Sequence, residues 1–166
     1  ISPEYRLNSK MIKFLNWVSN YNLIDRGLVL KMILSHSKFY FKKKKTKELT
    51  SNIKKNVETI KLSLEQKRAS QDILNIFQQR NFKPVLLDGV PGSGKTEVYF
   101  DVIKKFIKDG EQVLIMFPEV SLTGDFVNRI EERFGFSPVV WHSKISTAYK
   151  TKVLKSIIDG TSQIII

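Results

Sequence analysis

The sequence contains no cysteine, and histidine, tryptophan and proline are scarce, at two, two and five residues. The missing thiols exclude disulfides, thiolate metal centres and cysteine nucleophiles, so no zinc site is expected. No run approaches the ~18 consecutive apolar residues of a membrane span. The opening Ile1-Ser2-Pro3-Glu4-Tyr5 lacks the basic-then-apolar build of a secretory leader. These absences point to a cytoplasmic protein. An initial Ile and a final Gln163-Ile164-Ile165-Ile166 give the expectation that the chain is a piece of a longer one.

Acidic residues are also in short supply. Against 16 Asp and Glu stand 28 Lys and Arg, a net charge of +12 on 166 residues. Such an excess favours nucleic acid or another anionic surface. Of the basic residues 22 are Lys and 6 Arg, and Ile and Asn are abundant, a bias that an AT-rich genome imposes whatever the function. The location of the charge is more informative than its sum. Nine Lys and two Glu between His36 and Lys61 place +7 on 26 residues, and Lys42, Lys43, Lys44 and Lys45 follow Phe39-Tyr40-Phe41. Cations beside rings can neutralise phosphates and stack bases. The same segment also reads as a solvated linker.

What remains is an ordinary globular composition, 42% hydrophobic and 11% aromatic. Met11, Phe14, Leu15 and Val18 form a helical stripe from Ser9 to about Tyr21, and a second short helix comes after Gly27 over Leu28 to Leu34. From Glu65 to Gln79, the spacing of Ala69, Ile73, Ile76 and Phe77 is again helical. Beyond Pro84, short apolar runs alternate with helical patterns. Strands are expected at Val85–Leu87, Gln112–Phe117, Val139–Trp141 and Gln163–Ile166. Helices are expected over Thr96–Lys108, Thr123–Phe134 and Ser146–Ile158. Such alternation implies an α/β fold, a parallel sheet with helices on its faces.

Between the first of these strands and its helix lies Gly89-Val90-Pro91-Gly92-Ser93-Gly94-Lys95-Thr96, a match to G-x-x-x-x-G-K-[ST] in the required context. Backbone N–H groups of such a loop converge on phosphate oxygens, and the helix after it adds its positive end. Lys95 would reach the β- and γ-phosphates, and the Thr96 hydroxyl would ligate Mg²⁺. The motif points to a nucleotide's phosphates and leaves the reaction open.

The flanks narrow it. Leu86 through Tyr99 closely resembles the motif I region of the bacterial replication-restart DNA helicases of superfamily 2. Val113 through Thr123 resembles their motif Ia, a strand, then Pro118-Glu119 and Leu122-Thr123. His142-Ser143, the Asp159-Gly160 turn and Ile164–Ile166 fall in the family's order. Leu62, Glu65, Gln66 and Ala69 resemble the segment leading into its helicase core, and the stretch over residues 9–35 resembles the segment just after its N-terminal DNA-binding domain.

The resemblance implies three parts. Residues 1–35 would be a helical remnant lying after that DNA-binding domain. Residues 36–61 would be a Lys-rich linker where the family carries a winged-helix module, and residues 62–166 the first part of a RecA-like ATP-binding lobe. It implies a 3′-to-5′ DNA helicase that hydrolyses ATP with Mg²⁺, acts on forked or single-stranded DNA without sequence preference, and assembles with primosome proteins or a separately encoded remainder. Lys95 and Thr96 would be catalytic. Gly89 to Glu97, with Gln66 at the adenine edge, would bind nucleotide. Pro118, Glu119, Leu122, Thr123 and Lys42 to Lys45 would touch DNA.

Departures qualify this. Pro91 stands where the family has Thr, Gly124-Asp125 replaces Pro-Gln after Thr123, and the family's acidic metal-binding motif and second lobe are not in the sequence. The expectation is therefore a fragment that binds Mg·ATP and DNA at most. A small P-loop kinase and a non-catalytic DNA-binding or decaying gene fragment stay open as alternatives. For individual side chains, Gln66 also reads as an ordinary exposed helical residue, Thr123 as a helix cap, and His142 as a structural histidine.

Overall fold

A computed structural model describes residues 7–34, 60–79, 81–118 and 123–166, with the backbone alone at Thr123. The chain forms two compact units, Ile1–Thr46 and Lys47–Ile166. The connector lysines Lys42 to Lys45, and Glu119 and Leu122, lie outside the described residues. None of the helices among the described residues is long and apolar enough to cross a membrane.

In the first unit, α1 (Ser9–Asn22) and α2 (Arg26–Leu34) form a helical hairpin. Asn8 caps α1 through its side-chain oxygen, which accepts the Met11 N–H at 2.8 Å. Leu23 ends the helix in the left-handed region (φ 53°), held by the Ile24 N–H on the Ser19 carbonyl and by the Ser19 hydroxyl on the Ile24 carbonyl. Leu15 and Val29 are buried. The sequence stripe splits here. Phe14 turns outward and joins Trp17 and Tyr21 in a stacked ladder with ring centroids 6.3 and 5.2 Å apart.

The second unit is an α/β layer structure. A parallel sheet pairs β1 (Val113–Leu114) with β2 (Ile164–Ile165), and Val139 bridges to Ile165 on the other side. The stretch 163–166 is therefore central. Its carbonyls accept the Val113 and Ile115 N–H groups at 2.8 Å on one edge and the Val139 N–H at 3.0 Å on the other. Alternation along it sorts the core. Ile164 and Ile166 pack with Phe100, Ile103 and Ile130 under α4 (Lys95–Lys108) and α5 (Thr123–Phe134). Ile165 packs with Val139 and Val153 under α6 (Thr147–Ile158). A third cluster, Ile73, Val98 and Val102, joins α3 (Leu64–Phe77) to α4.

The expected helices appear within a few residues of their positions, but two expectations about strands change. The outer strands are shorter than the apolar runs. Val85–Leu87, expected as a strand, has no ladder partner among the described residues. Apolar character alone does not make a strand; a neighbour must complete its hydrogen bonds. The Val113 and Ile115 N–H groups already point to β2. Between β1 and Val85–Leu87 lies an apolar groove of about 590 Å³ lined by Val85, Leu87, Tyr99, Leu114, Met116 and Phe117.

Ile130 is fully buried at the meeting of α5 and the sheet. Ile130→Ala is expected to destabilise this unit by about 2–5 kcal/mol, the transfer and cavity cost of such a truncation. Urea denaturation monitored by circular dichroism measures it, and a loss below about 1 kcal/mol would mean that α5 does not pack on the sheet as described.

Candidate nucleotide site

The loop from Gly89 to Thr96 joins the extended Val85–Leu87 to α4. Its turn closes through the Ser93 N–H on the Val90 carbonyl at 3.2 Å. Gly92 and Gly94 both take φ +80°, a conformation strained for any side chain. Gly94 has a second reason to be glycine, since a Cβ there would lie 2.4 Å from Gln66 Nε2.

Gly94 is also the N-cap of α4, and no side chain caps that helix. Its first N–H groups and the positive end of its dipole thus face the loop's concave side without a competing protein acceptor from a capping residue. Lys95 arches back over the loop, its Nζ donating to the Gly89 carbonyl and, at 3.0 Å, to the Val90 carbonyl. These are weak neutral acceptors that a phosphate oxygen would outcompete. Glycine at the positive-φ positions, an uncapped helix start and a tethered ammonium form a cradle that fits a polyphosphate. Thr96 stands one residue further into α4, on the wall of the apolar groove. Val90 and Pro91 are exposed at the tip of the turn.

Gln66 is held in place by both ends of its amide. Its Oε1 accepts the Ser63 N–H at 2.9 Å while the Ser63 hydroxyl accepts the Gln66 N–H, a capping box that starts α3. Its Nε2 donates to the Ser93 carbonyl at 3.0 Å. In this arrangement Gln66 ties α3 to the phosphate loop, and reading a base edge would require it to surrender one of those bonds. A second tie between the helices is the Ser70 hydroxyl on Asp101 Oδ2 at 2.6 Å.

The other expected residues are distributed around this cradle. Pro118 is exposed just beyond β1, and α5 starts at Thr123. His142 is half-buried, and its Nδ1 accepts the Lys144 N–H at 3.1 Å, which fixes the turn after Val139–Trp141. The Glu97 carboxylate faces α5, where its Oε1 accepts from Arg129 at 3.2 Å and its Oε2 lies 3.6 Å from Arg133. A carboxylate so placed serves the helices, leaving the backbone to serve an anionic ligand. Among the described residues, no group of three or more His, Asp and Glu could hold a metal ion.

Two participants escaped the sequence reading. The Ser63 capping box could have been found, because S-x-x-Q before an apolar-periodic run is a local signal. The pairing of Glu97 with Arg129 and Arg133 joins residues 32 and 36 positions apart and has no local signature.

Comparison with known proteins places this geometry. The family described as Type III restriction enzyme, res subunit, matches residues 59–165. Replication restart protein PriA of Rickettsia conorii is 34% identical over 160 residues, covering 96% of this chain and 24% of that protein. The protein of the same name from Rickettsia prowazekii is 35% identical over 157 residues, 95% of this chain and 23% of its own length. That of Bacillus subtilis is 41% identical over 96 residues, 58% of this chain and 12% of its own. The chain thus spans about a quarter of the length of the Rickettsia relatives. With residues 89–96 inside the matched region, the chain belongs to the Type III restriction enzyme res subunit family and is similar to replication restart protein PriA of Rickettsia.

Proposed function

We propose that this chain carries the nucleotide-binding part of a replication-restart DNA helicase, with residues 62–166 as the beginning of a RecA-like lobe. The observation that carries the reading is the loop itself: two positive-φ glycines, an uncapped α4 and Lys95 over the concavity. ATP is the nucleotide, held at the Gly89–Thr96 loop by backbone N–H groups on the non-proline residues and by Lys95, with Val90 and Pro91 at the rim. Mg²⁺, when bound with ATP, neutralises charge on the phosphate oxygens, and the Thr96 hydroxyl is the residue here that would hold it. Gln66 and the Glu97 carboxylate position the loop and its helix. The protein is cytoplasmic.

DNA, forked or single-stranded, is the partner, met at Pro118, Glu119, Leu122 and Thr123 and by the linker lysines Lys42 to Lys45. Residues 1–35 and 36–61 act as a helical appendage and a basic connector. Other primosome proteins, or a separately encoded remainder, complete the machine.

The test of the DNA half is a salt titration of oligo(dT) affinity by fluorescence anisotropy. If about five lysines engage the strand, log K against log salt should slope near −3.5, from about 0.7 per phosphate. Neutralising Lys42 to Lys45 should flatten the slope and leave nucleotide affinity unchanged. A flat response in the parent chain would remove DNA from the reading.

A further inference from the structure

Glu97 stands two residues beyond Lys95 on the first turn of α4. It faces away from the loop, toward α5. There Arg129 and Arg133 are four residues apart on one helical face and meet its two oxygens unequally. Oε1 is hydrogen-bonded to Arg129, whereas Oε2 is buried, has no hydrogen bond, and lies 3.6 Å from Arg133.

A buried carboxylate oxygen without a hydrogen bond is costly. The arrangement is improved by any small shift that brings the start of α4 and the face of α5 together. Beneath the ion pairs, Phe100 packs edge-on against Phe126 and Phe134 at 5.4 Å, with Arg129 over its ring at 5.7 Å. Phe126 in turn meets Phe117, the last residue before Pro118, at 4.7 Å. The contacts thus run from Glu97 and Phe100 on α4, across α5, to Phe117, three residues beyond β1.

We infer that Glu97 is a positioning residue that couples occupancy of the phosphate loop to α5: when a phosphate draws Lys95 off the Gly89 and Val90 carbonyls, the first turn of α4 moves and Glu97 closes on Arg133. This rests on the nucleotide reading above and adds to it a route by which the bound ligand reaches a second element. The physical warrant is a buried Glu97 oxygen 3.6 Å from Arg133 and short of a hydrogen bond, and the measurement must show the coupling directly.

The probe is Mg·ADP, with binding monitored by a fluorescent analogue and the response of α5 by amide hydrogen exchange of a peptide within residues 123–134. In the parent chain, saturation with Mg·ADP should slow exchange there by at least about threefold. Arg129→Ala, on a side chain that is 46% exposed, should bind Mg·ADP within about twofold of the parent yet lose most of that protection. Arg133→Lys, which keeps charge but not the reach of the guanidinium, should do the same. Adding Glu97→Gln to Arg129→Ala should cause little further loss, as expected for one shared route. A merely structural pair would lower the melting temperature in each variant and leave the ligand-dependent protection intact.

Protection of α5 that survives in both arginine variants overturns the coupling, as does a parent chain that binds Mg·ADP with α5 unchanged. A parent chain that binds no Mg·ADP, with Lys95→Ala indistinguishable from it, overturns the nucleotide reading first and the coupling with it.

Discussion

Lys95→Ala is expected to reduce Mg·ATP affinity by about 30-fold or more, to the edge of detection in equilibrium titration. The substitution removes the ammonium that lies over the loop, and a hydrogen bond to a charged group is worth about 1.5–3 kcal/mol. The fold should survive it. Among the described residues, Lys95 donates to the Gly89 and Val90 carbonyls, which belong to an exposed loop and can turn to water. The core residues Val98, Phe100 and Val102 on the same helix are untouched. Calorimetric titration of the parent and variant measures the effect, with thermal denaturation beside it to show that both are folded. Equal affinities would mean that the glycine loop no longer serves a nucleotide.

The turn from Gly89 to Thr96 is legible in the sequence because everything that defines it is local. Eight consecutive residues fix the turn, the helix start and the ammonium, and the structure adds mainly the two positive φ angles at Gly92 and Gly94. Helices α3 to α6 are legible for the same reason: their apolar faces repeat within a turn or two, and Ser146 stands at the start of α6. Features that depend on residues far apart are not legible in this way. Val85–Leu87 has the apolar character of a strand, but its ladder requires a neighbour that no local pattern supplies.

Phe14 belongs to the apolar stripe by residue type, yet the hairpin buries Leu15 and Val29 and leaves Phe14 outside with Trp17 and Tyr21. Gln66 is another such case. Its helical position suggests either a free surface amide or a base reader, and only the approach of Ser93, 27 residues away, shows the amide occupied at both ends.

Assayed alone, the chain is expected to show no DNA-stimulated ATP turnover and no unwinding, at least about a thousandfold below a competent motor. Phosphoryl transfer on a phosphate loop depends on positioning and on charge stabilisation, and the loop supplies only part of either. A carboxylate at a strand end ordinarily helps hold the metal, and an arginine finger stabilises the transition state by a factor of about 10³–10⁵. Among the described residues, no cluster of His, Asp and Glu could take a metal. Arg129 and Arg133 are committed to Glu97, with Arg129 also over the Phe100 ring. Freeing either to reach a γ-phosphate would strand a carboxylate with a buried oxygen, so neither serves as the finger without breaking the contact between α4 and α5. The assay is phosphate release from Mg·ATP with and without forked DNA, on a monodisperse sample, with Lys95→Ala as the blank. Stimulated turnover well above that blank would show that this chain completes its own catalytic site and would overturn this expectation.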